Sequence, residues 1–422
     1  MLRIGVTAFA IVAAFLVSSA TALGQDQAQP PDGHQHQAAP ASTSARTWTG
    51  DANVFYGYNF QQRKEGFTNF SAWESQNWFM GTGVRQIGGG RLTIEGMLSL
   101  EPWTIGTMVY ASGTKLAPSP GGSPQLYQTG ESYNGVPLVN YQHPHDLIME
   151  LGATYRIERP RLAYMFTADL VGSPALGPPV FMHRASARDN PQVPLNHHSL
   201  DSTHISAGVL TAGVAAGQFT FEASAFNGVE PDENRVEIEP PRLNSWSSRI
   251  GWRRGAWQAQ FSGGHLHEPE WFEPYDVTRL TASIAFGGDI RSRRLDAMLA
   301  WGRNLEYNGY NDRADGYTLE WDLRATRTAS LYGRAELVKK QLFGLGFHPK
   351  GLNHPHLYSK IDALTIGCLR DLIMSRAGRF GVGADATVYR TSQDLEQYYG
   401  SARSYHIFLR WRPNGSSMAH VH

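Results

Sequence analysis

The 422-residue sequence has a single cysteine, Cys368, no excess of charge of either sign (37 basic against 37 acidic side chains), and no long apolar run after its first residues. A lone thiol forms no intramolecular disulfide. This excludes disulfide scaffolds, CxxC redox sites and Cys-rich zinc modules, and leaves histidine and carboxylate as the available metal-ligand chemistry. Balanced charge with no basic stripe excludes a nucleic-acid surface. A chain that is 41% hydrophobic and 11% aromatic is not disordered. Beyond Trp48 no extended stretch shows the 3.6-residue apolar period of an amphipathic helix, which excludes a helical bundle.

The start of the chain predicts export. Arg3 precedes an apolar run from Ile4 to Val17, and small residues around Ala20 to Gly24 supply a cleavage site, so residues 1–24 read as a secretory signal. Gln25 stands where a lipoprotein would need its cysteine. Residues 25–47, rich in Gln, Ala, Pro and Ser, read as a flexible periplasmic leader. It is too short for the folded plug of an energised receptor.

From Trp48 onward, apolar and polar residues alternate over long segments. Leu92, Ile94, Gly96 and Leu98 oppose Thr93, Glu95 and Ser99; Tyr317, Leu319, Trp321 and Leu323 oppose Thr318, Glu320, Asp322 and Arg324. Strands of a soluble sandwich average about 5–6 residues, whereas a strand that crosses a bilayer needs about 9–11, apolar toward lipid and polar toward the lumen. The segments have the longer form. They fall at 48–60, 72–86, 91–102, 146–158, 161–172, 203–215, 218–228, 243–253, 256–268, 276–288, 292–304, 315–326, 330–340, 359–373, 378–390 and 402–412. Every second connection is tight, as at Gly88-Gly89-Gly90, Ala216-Gly217 and Arg254-Gly255, and the others are longer, notably 103–145 and 173–202.

The predicted fold is therefore all-β: a transmembrane antiparallel outer-membrane β-barrel of about 16 strands (14–18), with short periplasmic turns and long extracellular loops. The barrel occupies 48–412 and a periplasmic tail 413–422, with both termini in the periplasm of a Gram-negative bacterium. Its expected partners are outer-membrane lipid, the barrel assembly machinery and small solutes or metal ions, and a homotrimer is one assembly open to it. Lumen-facing parity falls on Glu95, Glu101, Glu150, Arg156, Glu222, Arg249, Arg279, Glu320, Asp322, Arg324, Arg334, Glu336, Asp385 and Arg410, a mixture of both signs. Such charges either line a channel or pair across it. The Pro- and Gly-rich loops, with apolar Val180, Phe181 and Met182, read as packed segments able to fold inward.

Twelve of the 16 histidines fall in the long loops or at the strand ends beside them. His143, His145 and Asp146 form one group; His197, His198, Asp201 and His204 a second; His265 and His267, beside Glu268, a third; and His354 and His356 a fourth. Imidazole with carboxylate suits Cu(II), Zn(II) or Ni(II), and loops of one barrel converge on one mouth, so distant pairs can share an ion. The plainer reading is that these histidines fix the loops by hydrogen bonds. A third reading is a rim hydrolase drawn from Ser199, Ser202, His198, His204 and Asp201. No nucleophile-elbow motif accompanies them, and the chain reads as a non-enzyme.

The segments Gln128 to Leu138, Gln142-His-Pro-His-Asp146, Gly177 to Ser186, His197 to His204 and Phe226 to Asn234 resemble those of a bacterial outer-membrane β-barrel family often found beside copper and other heavy-metal resistance systems. The resemblance implies a barrel and a setting of metal exposure, and it carries over no site residues. The expectation is a porin-like channel for small solutes or metal ions with a His/carboxylate-rich mouth. The alternatives are a metal-binding barrel without transport and, third, a barrel-embedded hydrolase.

Overall fold

The computed structural model describes residues 47–65, 69–105, 108–111, 117–118, 121–133, 136–270, 274–307, 312–341 and 358–414. Both expected flanking segments, up to 46 and from 415, lie outside them. Strand β1 (Thr47–Gln62) is flanked on one side by β2 (Phe70–Glu74) and β3 (Asn77–Ile87). These two keep one register along β1, with Gly57 opposite Glu74 and Val54 opposite Asn77, and form a single wall strand interrupted at Ser75-Gln76. The wall continues antiparallel through β4 (Gly90–Leu98). It then skips the short strands β5 (Met108–Ala111) and β6 (Ala117–Pro118) and the hairpin β7 (Ser123–Tyr133) with β8 (Val136–Gln142), to reach β9 (Ile148–Glu158).

From there each strand pairs with the next: β10 (Leu162–Gly172), β11 (Ser206–Ala216), β12 (Phe219–Phe226), β13 (Ser245–Arg254), β14 (Trp257–Leu266), β15 (Val277–Ile290), β16 (Arg293–Glu306), β17 (Asp312–Arg324), β18 (Ala329–Gln341), β19 (Tyr358–Ser375), β20 (Gly378–Thr391) and β21 (Arg403–Arg412). Strand β21 pairs back onto β1, Val54 opposite Trp411, and closes a 16-strand barrel. Closure gives each wall strand among the described residues a neighbour on both sides, as a sheet in hydrocarbon requires.

The tight connections form where the sequence can take a left-handed turn. Gly88 and Gly89 both have positive φ (57° and 78°), the conformation of a two-residue I′ hairpin turn that matches strand twist. Arg291 and Ser292 make the corresponding turn without glycine, at φ 49° and 66°. Thr47, the first residue of β1, pairs with Val84 close to the Gly88-Gly89 turn, and β21 ends opposite Arg379 beside the turn at 376–377. Both ends of the barrel segment thus lie on the short-turn side. Segment 91–102 departs from expectation: β4 stops at Leu98, and Glu101–Thr104 form a short helix, α1, with Pro102 in its first turn, where the missing N–H costs nothing.

Period-two alternation sorts the side chains. Ile94, Leu151, Phe166, Leu210, Phe261, Leu299, Leu319 and Leu409 are exposed on the outer wall, while Glu95, Thr318, Glu320, Asp322, Ser262 and Arg410 are buried inside it. Trp48, Trp73, Trp246 and Trp257 sit exposed toward the strand ends, the aromatic girdle of a bilayer-spanning barrel. This outer surface places the protein in an outer membrane. Phe166 is 54% exposed at the middle of β10. Phe166→Arg is expected to weaken folding into phospholipid by about 2–4 kcal/mol, read from urea unfolding of the refolded barrel; an unchanged midpoint would remove Phe166 from the lipid face.

Candidate functional site

The connection between β10 and β11, residues 173–205, does not project outward. It folds into the lumen and is buried along almost its whole length. Its apolar residues Val180, Phe181, Met182, Val193 and Ile205 pack with Trp78, Met80, Met97, Met149 and Val171 from β3, β4, β9 and β10. His183 stacks on Trp78 with ring centroids 4.9 Å apart.

The opposite side of the same segment is polar. Arg184 lies between Glu320 (Nε to Oε1 2.6 Å, Nη2 to Oε2 3.2 Å) and Asp201, to which its Nη1 donates. Ser186 donates to Glu320 at 2.7 Å. Arg188 donates to Asp322 at 3.1 Å and lies 3.5 Å from Asp296. Asp189 accepts from Ser330 and, at 2.6 Å, from Arg410, whose other nitrogen reaches Asp371 at 2.6 Å. The segment therefore bridges the lumen from the β3–β10 wall to the β16–β21 wall, and many of the lumen charges hold it there instead of lining open water.

Two wall glycines mark how closely it approaches. Gly302 and Gly316 face each other across β16 and β17. A Cβ on Gly302 would stand 2.1 Å from the Ser199 carbonyl oxygen, and one on Gly316 1.8 Å from Asn196 Oδ1. Asn196 itself takes Thr318 as acceptor (3.1 Å) and donates its backbone N–H to Glu336 (3.0 Å). The hairpin β7–β8 adds a second inward element, Gln125 Nε2 donating to Val193 O at 2.7 Å.

At the loop end of the lumen the structure collects histidines from two distant segments. His197, His198 and His204 lie on or beside the short helix α2 (His197–Leu200), and His143 and His145 come from the stretch before β9. Ring centroids of His145 and His204 are 5.4 Å apart, those of His197 and His204 5.2 Å. The Nδ1 of each faces an acceptor: Glu101 for His145 (2.7 Å), the Asp201 carboxylate for His197 (2.8 Å), Glu270 for His198 (2.9 Å), the Asp201 carbonyl for His204 (3.2 Å) and the Pro144 carbonyl for His143 (3.0 Å). An imidazole fixed in this way at Nδ1 directs Nε2 at whatever stands opposite, the arrangement that outer partners impose on metal-binding histidines.

The predicted carboxylates fall differently. Asp146 accepts from Arg235 at 3.2 Å, and Asp201 serves both Arg184 and His197. The pair His265 and His267 stands apart from the cluster and shares Asp276 (3.3 and 2.8 Å), not the adjacent Glu268. His354 and His356 lie outside the described residues.

Four acidic residues escaped the sequence as partners of these histidines: Glu101, read only as a lumen-facing charge, and Glu230, Glu270 and Asp276. Each belongs to a different segment from the histidine it meets or sits beyond a turn from it, so local spacing carried no signal. For the serine–histidine alternative, Ser199 Oγ donates to Asn196 Oδ1 (2.6 Å) and Ser202 Oγ accepts from Arg279 (2.9 Å). Neither of these two hydroxyls is placed on an imidazole.

No family model matches the sequence, and no curated protein matches it. In chain trace the barrel is similar to solved outer-membrane proteins. An anion-selective porin from Comamonas acidovorans is 10% identical, with 87% of this chain and 100% of that chain covered and a TM-score of 0.49. OmpT of Vibrio cholerae is 8% identical (88% and 99% covered, TM-score 0.48), and OmpF of Salmonella typhi 9% identical (86% and 97%, TM-score 0.49).

Burial pushes His198 down to about 3, and it pushes His143 and His204 well below the ordinary imidazole value of 6.5, with Arg235 opposing a charge on His143 and His197 and His145 opposing one on His204. The unfolded segment takes up these protons below about pH 6.5, whereas the folded one resists them, so the folded arrangement loses stability as pH falls from about 6.5 toward 3. Asp146, pushed up to about 6 by burial, gains a proton in the same window and offsets part of the effect. Amide hydrogen exchange at 196–205, corrected for intrinsic rate, is expected to accelerate between pH 7 and pH 4 while β15–β17 stay protected. Equal protection at both values would show that the histidines do not hold the segment.

Proposed function

We propose that the protein is an outer-membrane channel that passes small hydrophilic solutes or metal ions through a lumen narrowed by residues 173–205, past a mouth lined by histidine and carboxylate. The bridge those residues make across the lumen carries this reading. A sixteen-stranded barrel is wide enough for an aqueous channel, and a segment buried against both walls restricts what such a channel can pass to small species. The charge pairs across the bridge supply rigidity: breaking a buried pair by removing one partner costs about 3–5 kcal/mol. The histidines at the loop end, together with the resemblance to barrels found beside copper resistance, make Cu(II) and Zn(II) the ions to test. In this reading residues 1–24 direct export and both termini face the periplasm.

Single-channel recording of the refolded mature chain in planar bilayers tests the proposal. The wild-type barrel is expected to show small, stable open steps that micromolar Cu(II) or Zn(II) on the loop side reduces. Arg184→Ala removes the cation that Asp201 and Glu320 share, leaving them His197, Ser186 and Arg334, and is expected to loosen the bridge and enlarge the steps severalfold. Gly302→Val, which collides with the Ser199 backbone, should act in the same direction. Absence of conductance from wild type and from both variants would overturn the channel and leave metal binding without transport. Large steps in wild type, unchanged in the variants, would show that the segment does not narrow the lumen.

A further inference from the structure

At the outer end of the lumen, three segments that are far apart in sequence bring His198, Glu230 and Glu270 together. His198 Nδ1 lies 2.9 Å from Glu270 Oε1 and 3.9 Å from Glu230 Oε1, and the facing donor atoms all fall within 4.8 Å of one another. The Glu230 side chain is 6% exposed, and among the described residues neither its Oε1 nor His198 Nε2 has a hydrogen-bond partner. Two carboxylates side by side with so little water are costly unless a cation compensates them. Arg279 and Lys340 border the same space, but their hydrogen bonds go to Asn304, Ser202, the His198 carbonyl and Gln128, and neither donates to Glu230 Oε1.

We infer that His198, Glu230 and Glu270 form a binding site for one divalent transition-metal ion, Zn(II) first, which ties three outer loops together at the mouth. The inference uses the preceding reading only for where the mouth lies, and it holds whether or not the lumen conducts.

The geometry has the size such an ion needs. Zinc bonds to imidazole nitrogen and carboxylate oxygen are about 2.0–2.2 Å, which puts tetrahedral donors roughly 3.4 Å apart, between the two separations found. A cavity of about 100 Å³, bordered by two of the three donors, His198 and Glu270, and by Tyr275 and Glu306, has room for water as a further ligand. The backbone behind the donors is held too. Arg279 (2.5 Å) and Asn304 (3.1 Å) both donate to the His198 carbonyl, and the Glu230 N–H donates to the Pro269 carbonyl at 2.9 Å, locking two loops beside the site. One imidazole with two carboxylates is a borderline donor set, suited to Zn(II), Co(II) or Cu(II) above Ca(II) or Mg(II).

The test is calorimetric titration of ZnCl2 into the refolded, chelator-stripped barrel in detergent, with Co(II) absorption as a second readout of the coordination sphere. Wild type is expected to bind one Zn(II). The isosteric Glu230→Gln and Glu270→Gln variants should each bind at least tenfold more weakly, and His198→Ala should lose the site and its Co(II) bands. Glu237→Gln, in the exposed acidic group Asp232, Glu237 and Glu239, should bind like wild type. Heat-modifiable gel mobility confirms that each variant is folded. Absence of Zn(II) binding to wild type, or binding that survives Glu230→Gln and Glu270→Gln unchanged, overturns the inference. Metal-free conductance of Glu230→Gln, measured beside it, keeps failure of the site distinct from failure of the channel.

Discussion

Hydrocarbon offers no hydrogen-bond partner to a peptide group, and every other feature of this protein follows from how the chain meets that constraint. The sheet has to close, so β21 returns to β1. Closure forces side chains of each strand to alternate between lipid and lumen. The outer wall is then free to be apolar, and the inner wall, shielded from lipid, can carry Glu320, Asp322, Arg334 and Arg410.

Those inner charges are what the inward segment uses. A lumen of mixed sign lets Arg184 and Arg188 find carboxylates on β17, and lets Asp189 find Arg410 on β21. On the other side, the methionines and Trp78 of β3, β4 and β9 give Phe181 and Met182 an apolar seat. The segment is amphipathic across its own width, matched to a barrel with one polar and one apolar inner side. Glycines at 302 and 316 let Asn196 come within reach of Thr318 through its side chain and of Glu336 through its backbone N–H. The same docking carries α2 to the mouth and sets the position of its histidines.

Much of this was legible in the chain. The strands that alternate most cleanly, such as β17 and β14, lie within a few residues of where periodicity put them, and the tight turns fall where glycine or a polar pair permits positive φ. The exceptions have local causes. Segment 91–102 lost its end to α1 because Pro102 favours a first helical turn over a ladder. Segment 72–86 read as one continuous strand, whereas the wall strand beside β1 starts at Phe70 and is interrupted at Ser75-Gln76, between Phe70–Glu74 and Asn77–Ile87. At the candidate sites the histidines were visible as groups, but their partners were not. Asp146 looked like a neighbour of His143 and His145 and serves Arg235, while Glu101 reaches His145 from another segment.

What the sequence determined by itself is what depends on near neighbours: strand period, turn chemistry, the sign of each face and the polarity of the loops. These are set by two-residue alternation and by which residues tolerate left-handed backbone, so they can be read along the chain. What only the tertiary structure decided is which loop enters the lumen and which carboxylate meets which imidazole. His198, Glu230 and Glu270 lie in three separate loops, and nothing in their local sequence couples them. They meet because barrel closure brings the loop ends to one rim and because the charge pairs of residues 184–189 draw one loop inside.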